Sequence, residues 1–130
     1  MEKLRFTNVW LTIGFLLAAL VICASLMPNP PELTHIQGSD KLEHIAAYFI
    51  LTFWFGQIYT RNRVRLAIGL AFMILGISME YLQRMTGYRT FEYADMAANT
   101  VGVLCALLAA QTPLARGLAV VEKCLLRLVR

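Results

Sequence analysis

Three cysteines and two histidines are all that 130 residues contain of the side chains most used for metal binding and redox chemistry. No two of Cys23, Cys105 and Cys124 are spaced as a metal knuckle or fall in an oxidising loop, which excludes a disulfide framework and a thiolate zinc site. They read as small apolar filler. His35 and His44 belong to no H-E-x-x-H pair, and His35 falls in a proline-rich loop, so zinc is disfavoured by ligand count and no metal ligand is assigned. A basic patch interleaved with aromatic residues is missing too, which argues against a nucleic-acid partner. Internal repeats and low-complexity segments are absent, and one compact domain over residues 1–130 is the default.

What the chain has in abundance is apolar surface. Hydrophobic residues make up 58% of it, and the mean hydropathy is +0.60, too apolar for an ordinary soluble domain. A bilayer core of about 30 Å needs roughly 20 apolar helical residues. Candidate spans fall at residues 9–27, 42–59, 64–82 and 96–111, the last short and opened by polar residues, with a buried re-entrant segment as its alternative. The expected fold class is therefore all-α, a polytopic integral membrane protein built as a four-transmembrane-helix bundle. Residues 114–130 set Leu118, Val121, Leu125, Leu126 and Val129 against Arg116, Lys123, Arg127 and Arg130, as expected of an amphipathic cytoplasmic helix lying on the inner membrane surface.

Positive residues near span ends are retained in the cytoplasm. Lys3 and Arg5 precede the first span; Arg61, Arg63 and Arg65 fill the second turn; Arg116, Lys123, Arg127 and Arg130 follow the fourth span. The remaining loops hold only Lys41, Arg84 and Arg89. Both termini are thus expected in the cytoplasm, and the net charge of +4 reflects topology and anionic inner-leaflet contact. The first apolar stretch is too long for a signal-peptide core, and the bulky Ile22 before Cys23 departs from a lipoprotein cleavage box, so processing is not expected.

Local signals punctuate the bundle. Pro28, Pro30 and Pro31 end the first helix, Gly38 leads into a cap at Ser39 or Asp40, Gly87 breaks the segment after the third span, and Asp95 is expected to cap the fourth helix. Tyr88, Phe91 and Tyr93 suit a headgroup-level loop. Ala98, Gly102, Ala106 and Ala110 form a small-residue stripe, and Gly69, Met73, Gly76 and Glu80 share a face, both permitting close helix approach.

Charged and amide side chains gather at the ends of the spans. Asp40 and His44 are four apart, Glu80 and Gln83 three apart, Asp95 and Asn99 four apart, and Arg89 lies in a connecting loop. On helices each pair stacks on one face, and all three face the side opposite the basic loops. Ionisable groups at the margin of a bilayer are costly to desolvate and usually face a protein interior or wet cavity, so three recurrences point to one shared site. A histidine, three carboxylates and an arginine can perform acid–base chemistry, hold a divalent cation such as Mg²⁺ or Ca²⁺, or grip an anionic headgroup. The plain structural alternative is a set of ion pairs, Arg89 with Glu80 or Asp95 and His44 with Asp40, stapling that end of the bundle.

In this order the motifs Asp40-Lys41-Leu42-Glu43-His44 running to Tyr48, Glu80-Tyr81-Leu82-Gln83, Gly87-Tyr88-Arg89-Thr90-Phe91-Glu92 and Asp95-Met96-Ala97-Ala98-Asn99-Thr100-Val101-Gly102 resemble the VanZ-like membrane proteins, over residues 39 to about 110. The resemblance implies a small helical membrane protein of bacterial cell envelopes, here a single VanZ-like domain in the inner membrane. It also implies a family association with antibiotic resistance, namely low-level resistance to the glycopeptide teicoplanin, without a settled biochemical activity. Asp40, Lys41, His44, Glu80, Gln83, Arg89, Asp95 and Asn99 carry over as a motif set with no assigned roles.

The leading expectation is an extracytoplasmic polar site that binds, and can process, an anionic lipid or lipid-linked envelope precursor. His44, Glu80, Asp95 and Asp40 are the catalytic candidates, with Arg89, Lys41, Gln83 and Asn99 for substrate. Arg89 and Lys41 would hold phosphate, His44 would shuttle a proton, and Glu80 and Asp95 would orient it or hold a cation. No cofactor is required, with a divalent cation the one candidate, and a homo-oligomer is compatible with the small-residue stripes. A lipid phosphatase would need a second histidine placed with His44 and a Ser-Gly-His turn, neither of which is present, and the G-x-S-G of rhomboid-like proteases and the double-Asp pattern of lipid alcohol transferases are missing too. Ser39 and Ser78 are better read as a cap and a helix back-bonder than as nucleophiles. The competing class is a non-enzymatic envelope scaffold or lipid- or drug-binding protein whose polar cluster is a structural ion-pair network; an ion or solute conduit is disfavoured by the few, short spans.

Overall fold

The computed structural model describes residues 4–28 and 39–128. Five α-helices follow one another: α1 (Thr7–Leu26), α2 (Ser39–Ile58), α3 (Asn62–Thr86), α4 (Tyr93–Ala109) and α5 (Gly117–Leu128), with a 3₁₀ turn at Pro113–Arg116 leading into the last. No strand occurs among the described residues. Pro30, Pro31, His35, Gly38, Lys3, Val129 and Arg130 lie outside them, and so do the expectations placed there.

Two helices, Thr7–Leu26 and Asn62–Thr86, are long and apolar enough to cross a membrane; α4 with Pro113–Leu128, bent by 79°, makes a third if the pair is one span. Helix α2 has the length, but Lys41, Glu43, His44 and Gln57 dilute its apolar run, and α4 alone has 17 residues. The outward faces are nonetheless apolar: Phe15, Leu16, Leu20, Leu66, Leu70, Leu104 and Leu108 are exposed, the reverse of a water-soluble bundle.

The centre is built by α2 against α4, the most extensive helix pair. The small-residue stripe drives it: Ala98, Gly102, Ala106 and Ala110 are all buried, and the backbone of Gly102 lies against the Ile45 carbonyl of α2, so close that a Cβ there would collide with it. On α3 the shared face of Gly69, Gly76 and Glu80 is likewise buried, with Gly76 against Asn99 and Tyr48. Helix α3 ends at Gly87, whose φ of 77° is left-handed.

The connections alternate helix direction and so separate two ends. At one end Trp54 donates to the Trp10 carbonyl (2.9 Å), Arg65 donates to the carbonyls of Gly56 and Tyr59 (2.9 Å each), and Gln57 Oε1 accepts from Leu118 N–H (3.1 Å). Arg61, Arg63 and the start of α5 share this end. At the other, Gln83 donates to the Ser25 carbonyl (2.8 Å) and Tyr88 to the Leu26 carbonyl (2.6 Å), and α2 and α4 begin.

Helix α5 forms where the amphipathic tail is expected and leaves Val121 and Leu125 exposed on its apolar side. Its other face, with Leu118 and Glu122, is buried against the bundle. The reason is Glu122: its carboxylate accepts from the backbone N–H groups of Arg5 and Phe6 and from Trp10 Nε1 (2.9 Å), capping α1, whose own N-cap residue Phe6 offers no side-chain acceptor. The cysteines are unpaired as expected, but Cys23, Cys105 and Cys124 lie on exposed outer faces rather than filling the interior.

Candidate functional site

The end where α2 and α4 begin collects most of the polar side chains singled out above. Helix α4 starts at Tyr93 rather than at Asp95, with Glu92 as N-cap and no side-chain capping bond. Asp95 therefore sits in the first turn, buried, with its two oxygens divided. Oδ1 accepts from Lys41 Nζ, and Oδ2 lies 3.6 Å from His44 Nε2. The opposite ring nitrogen, His44 Nδ1, lies 2.9 Å from Asn99 Oδ1. Since that oxygen only accepts, Nδ1 carries the hydrogen, and in the neutral imidazole Nε2 presents its lone pair toward Asp95.

Lys41 is the hub of an outer group. Besides Asp95 it donates to Asp40 Oδ2 (2.8 Å) and to Glu92 Oε2, so one ammonium meets three carboxylates. Of the alternative pairing expected from sequence, Arg89 with Glu80 or Asp95 and His44 with Asp40, no ion pair forms among the described residues, though Arg89 stays in electrostatic range of Glu80: Asp95 pairs with Lys41 and faces His44, and Asp40, more than half exposed, pairs with Lys41.

Glu80, on α3, closes the inner side and is fully buried. Its Oε2 accepts a long 3.4 Å bond from the Glu92 N–H, and its Oε1 has no hydrogen-bond partner among the described residues. His44, Asp95 and Arg89 are near enough to act on its charge. Tyr48, one turn along α2 from His44, is 2% exposed. Its hydroxyl is also unpartnered among the described residues and interacts electrostatically with Glu80.

Two carboxylate-bearing groups thus have cation-holding spacing. His44, Glu80 and Asp95 each offer one ligand atom within 4.8 Å of the others, and so do Asp40, Glu92 and Asp95. The second group already surrounds Lys41. Arg89, half-buried in the α3–α4 loop, makes no hydrogen bond or ion pair with any described residue. Gln83 is turned away toward α1. Around the rim, Phe91 packs between Tyr81 (tilted, 5.4 Å) and Tyr93 (edge-to-face, 5.0 Å), with Arg84 over its face, while Tyr88 and Tyr93 are exposed.

Sequence reasoning brought Lys41, His44, Glu80, Asp95 and Asn99 to one place but missed Glu92 and Tyr48. Both had a signal: Glu92 precedes Asp95 by three residues, and Tyr48 follows His44 by four, the spacings that put side chains on one helix face.

Over 92 residues the chain is 30% identical to the uncharacterized protein C11E3.10 of the fission yeast Schizosaccharomyces pombe; the alignment covers 68% of this chain and 56% of that protein, so the chain spans little more than half of its relative's length. No protein-family model matches the chain. No solved structure matches it.

Proposed function

We propose that this is a VanZ-like membrane protein, a four-span bundle with both termini in the cytoplasm, whose polar end faces the extracytoplasmic side and binds the anionic headgroup of a lipid or lipid-linked envelope precursor. A bacterial inner membrane is the setting that the family resemblance suggests. Support for the membrane comes from the two or three helices apolar enough to cross it and the apolar outward faces of α1, α3 and α4. Support for the orientation comes from the separation of ends, Arg61 and Arg63 at one and the carboxylate–imidazole group at the other.

The observation that carries the reading is Arg89, a guanidinium at the rim of the polar end, free of hydrogen bonds and ion pairs among the described residues and in electrostatic range of buried Glu80. A guanidinium recognises phosphate by paired donors, which a lysine already shared by three carboxylates cannot do. Arg89 thus takes the headgroup, Lys41 holds the α2–α4 end together, and His44, kept in one tautomer by Asn99, is the group suited to accept or deliver a proton.

The Lys41 network also favours a second reading, a non-enzymatic scaffold or lipid- or drug-binding protein in which these charges serve only structure. Native mass spectrometry of the protein extracted with its own membrane lipids separates the two. A retained anionic or polyprenyl-linked species that is lost in Arg89→Ala is expected; identical nonspecific lipid on wild type and variant would leave the scaffold.

A further inference from the structure

We propose that His44 Nε2, Glu80 Oε1 and Asp95 Oδ2 form a binding site for a divalent transition-metal cation of the Mn²⁺ or Zn²⁺ class. The inference rests on the reading of the polar end as a ligand site and names the ion that site would use; with the ion bound, His44 serves as its ligand and the proton role passes to a water on the ion.

Three observations converge on it. The first is a separation. With Nδ1 bonded to Asn99, His44 turns Nε2 toward Asp95 Oδ2 at 3.6 Å, too long for a hydrogen bond. Two ligands bonded at about 2.1 Å to one tetrahedral ion stand roughly 3.4 Å apart, so the separation that is poor for a hydrogen bond suits a shared cation. The second is Glu80, a carboxylate with no exposure whose Oε1 has no partner among the described residues, and whose ligand atom lies within 4.8 Å of the other two. A carboxylate so buried and half satisfied is costly unless something cationic meets it. The third lies outside the triad: the Tyr48 hydroxyl is buried, has no partner among the described residues and is in electrostatic range of Glu80, as a supporting donor to a ligand carboxylate would be.

The choice of ion follows from the donors. The outer carboxylates have Lys41 as their cation; the inner triad bonds to no lysine or arginine among the described residues except through the far oxygen of Asp95. One imidazole with two carboxylates suits Mn²⁺ or Zn²⁺ better than Ca²⁺, which takes all-oxygen cages. The Asn99–His44 bond is the orienting contact that metal-bound histidines ordinarily have.

The test uses the full chain in detergent, stripped with chelator and titrated with Mn²⁺ alone. One ion per chain is expected, with affinity reduced by roughly tenfold or more in His44→Gln and Glu80→Gln, as when a ligand or its support is removed, and unchanged in Glu92→Gln. Pulsed electron paramagnetic resonance of the Mn²⁺-loaded wild type should show coupling to a directly bound imidazole nitrogen, a readout independent of whether any variant folds. No binding, no nitrogen coupling, or loss in Glu92→Gln with retention in His44→Gln would overturn the assignment, the last by placing the ion in the outer group. Lipid retention measured on the same samples keeps the two readings apart: retained headgroup without metal binding sinks the metal site alone, and metal binding without headgroup sinks the lipid reading alone.

Discussion

At the scale of single residues, the two ends of the molecule show opposite uses of a buried carboxylate. Burial works against the charged form of Glu122, but hydrogen bonds from Trp10 and from the backbone N–H groups of Phe6 and Arg5 outweigh it and hold its carboxyl below the ordinary carboxylate range. A depressed value in the folded state means that its contribution is complete above the ordinary value of 4.5 and is lost as pH falls through the lower folded value. Glu122→Gln is therefore expected to destabilise the protein by about 1.5–3 kcal/mol near neutral pH, the range for a hydrogen bond to a charged group. Unfolding in mild detergent should show wild type and variant converging in acid; a gap that persists or widens there would contradict the cap. Glu122 was legible only as the lone acid in a basic tail, because what it caps lies more than a hundred residues away. The inner pair of His44 and Asp95, by contrast, was legible as residues but not as partners: spacing within α2 suggests Asp40 for His44, and only the register of α4 against α2 brings in Asp95 and Asn99.

At the scale of elements, that register is set by a glycine. The Cβ of any other residue at 102 would meet the backbone carbonyl of Ile45 and the backbone nitrogen of Phe49, neither of which can rotate away. At Gly69 the nearest atoms belong to the Leu107 side chain, which can. Gly102→Val should therefore cost about 1–3 kcal/mol, at the upper end for overpacking, and Gly69→Ala distinctly less. Chemical unfolding followed by helicity checks the order; equal losses would show that the close approach does not govern the α2–α4 contact. The small-residue stripes were readable because four-residue periodicity maps directly onto a helix face. The start of α2 was readable from its turn signal, the expected cap at Ser39 or Asp40 falling where the helix begins. The start of α4 was not, since Asp95 looks like a cap but is helical, its charge met by Lys41 across the interface. The same lysine helps to explain why α2 falls short as an apolar span.

At the scale of the whole molecule, the arrangement is a bundle with an apolar waist, a basic end closed by Glu122 and Arg65, and an acidic end organised by Lys41. The separation of charge between ends was readable from loop composition, because alternating helix direction brings alternate loops together. The division of labour within the acidic end was not, because Lys41 and Arg89 look equivalent as motif residues and differ only in how many carboxylates surround each. That difference is the centre of the functional reading: one cation is structural and the other is available to a ligand. It is tested most directly by reconstituting wild type, Arg89→Ala and Lys41→Met in nanodiscs of mixed phosphatidylglycerol and phosphatidylcholine, and measuring which lipid stays bound on mild extraction. The expected result is selective retention of phosphatidylglycerol by wild type, loss of that selectivity in Arg89→Ala without loss of stability, and lowered stability in Lys41→Met. Equal retention of both lipids by wild type, or selectivity unchanged in Arg89→Ala, would contradict the headgroup site.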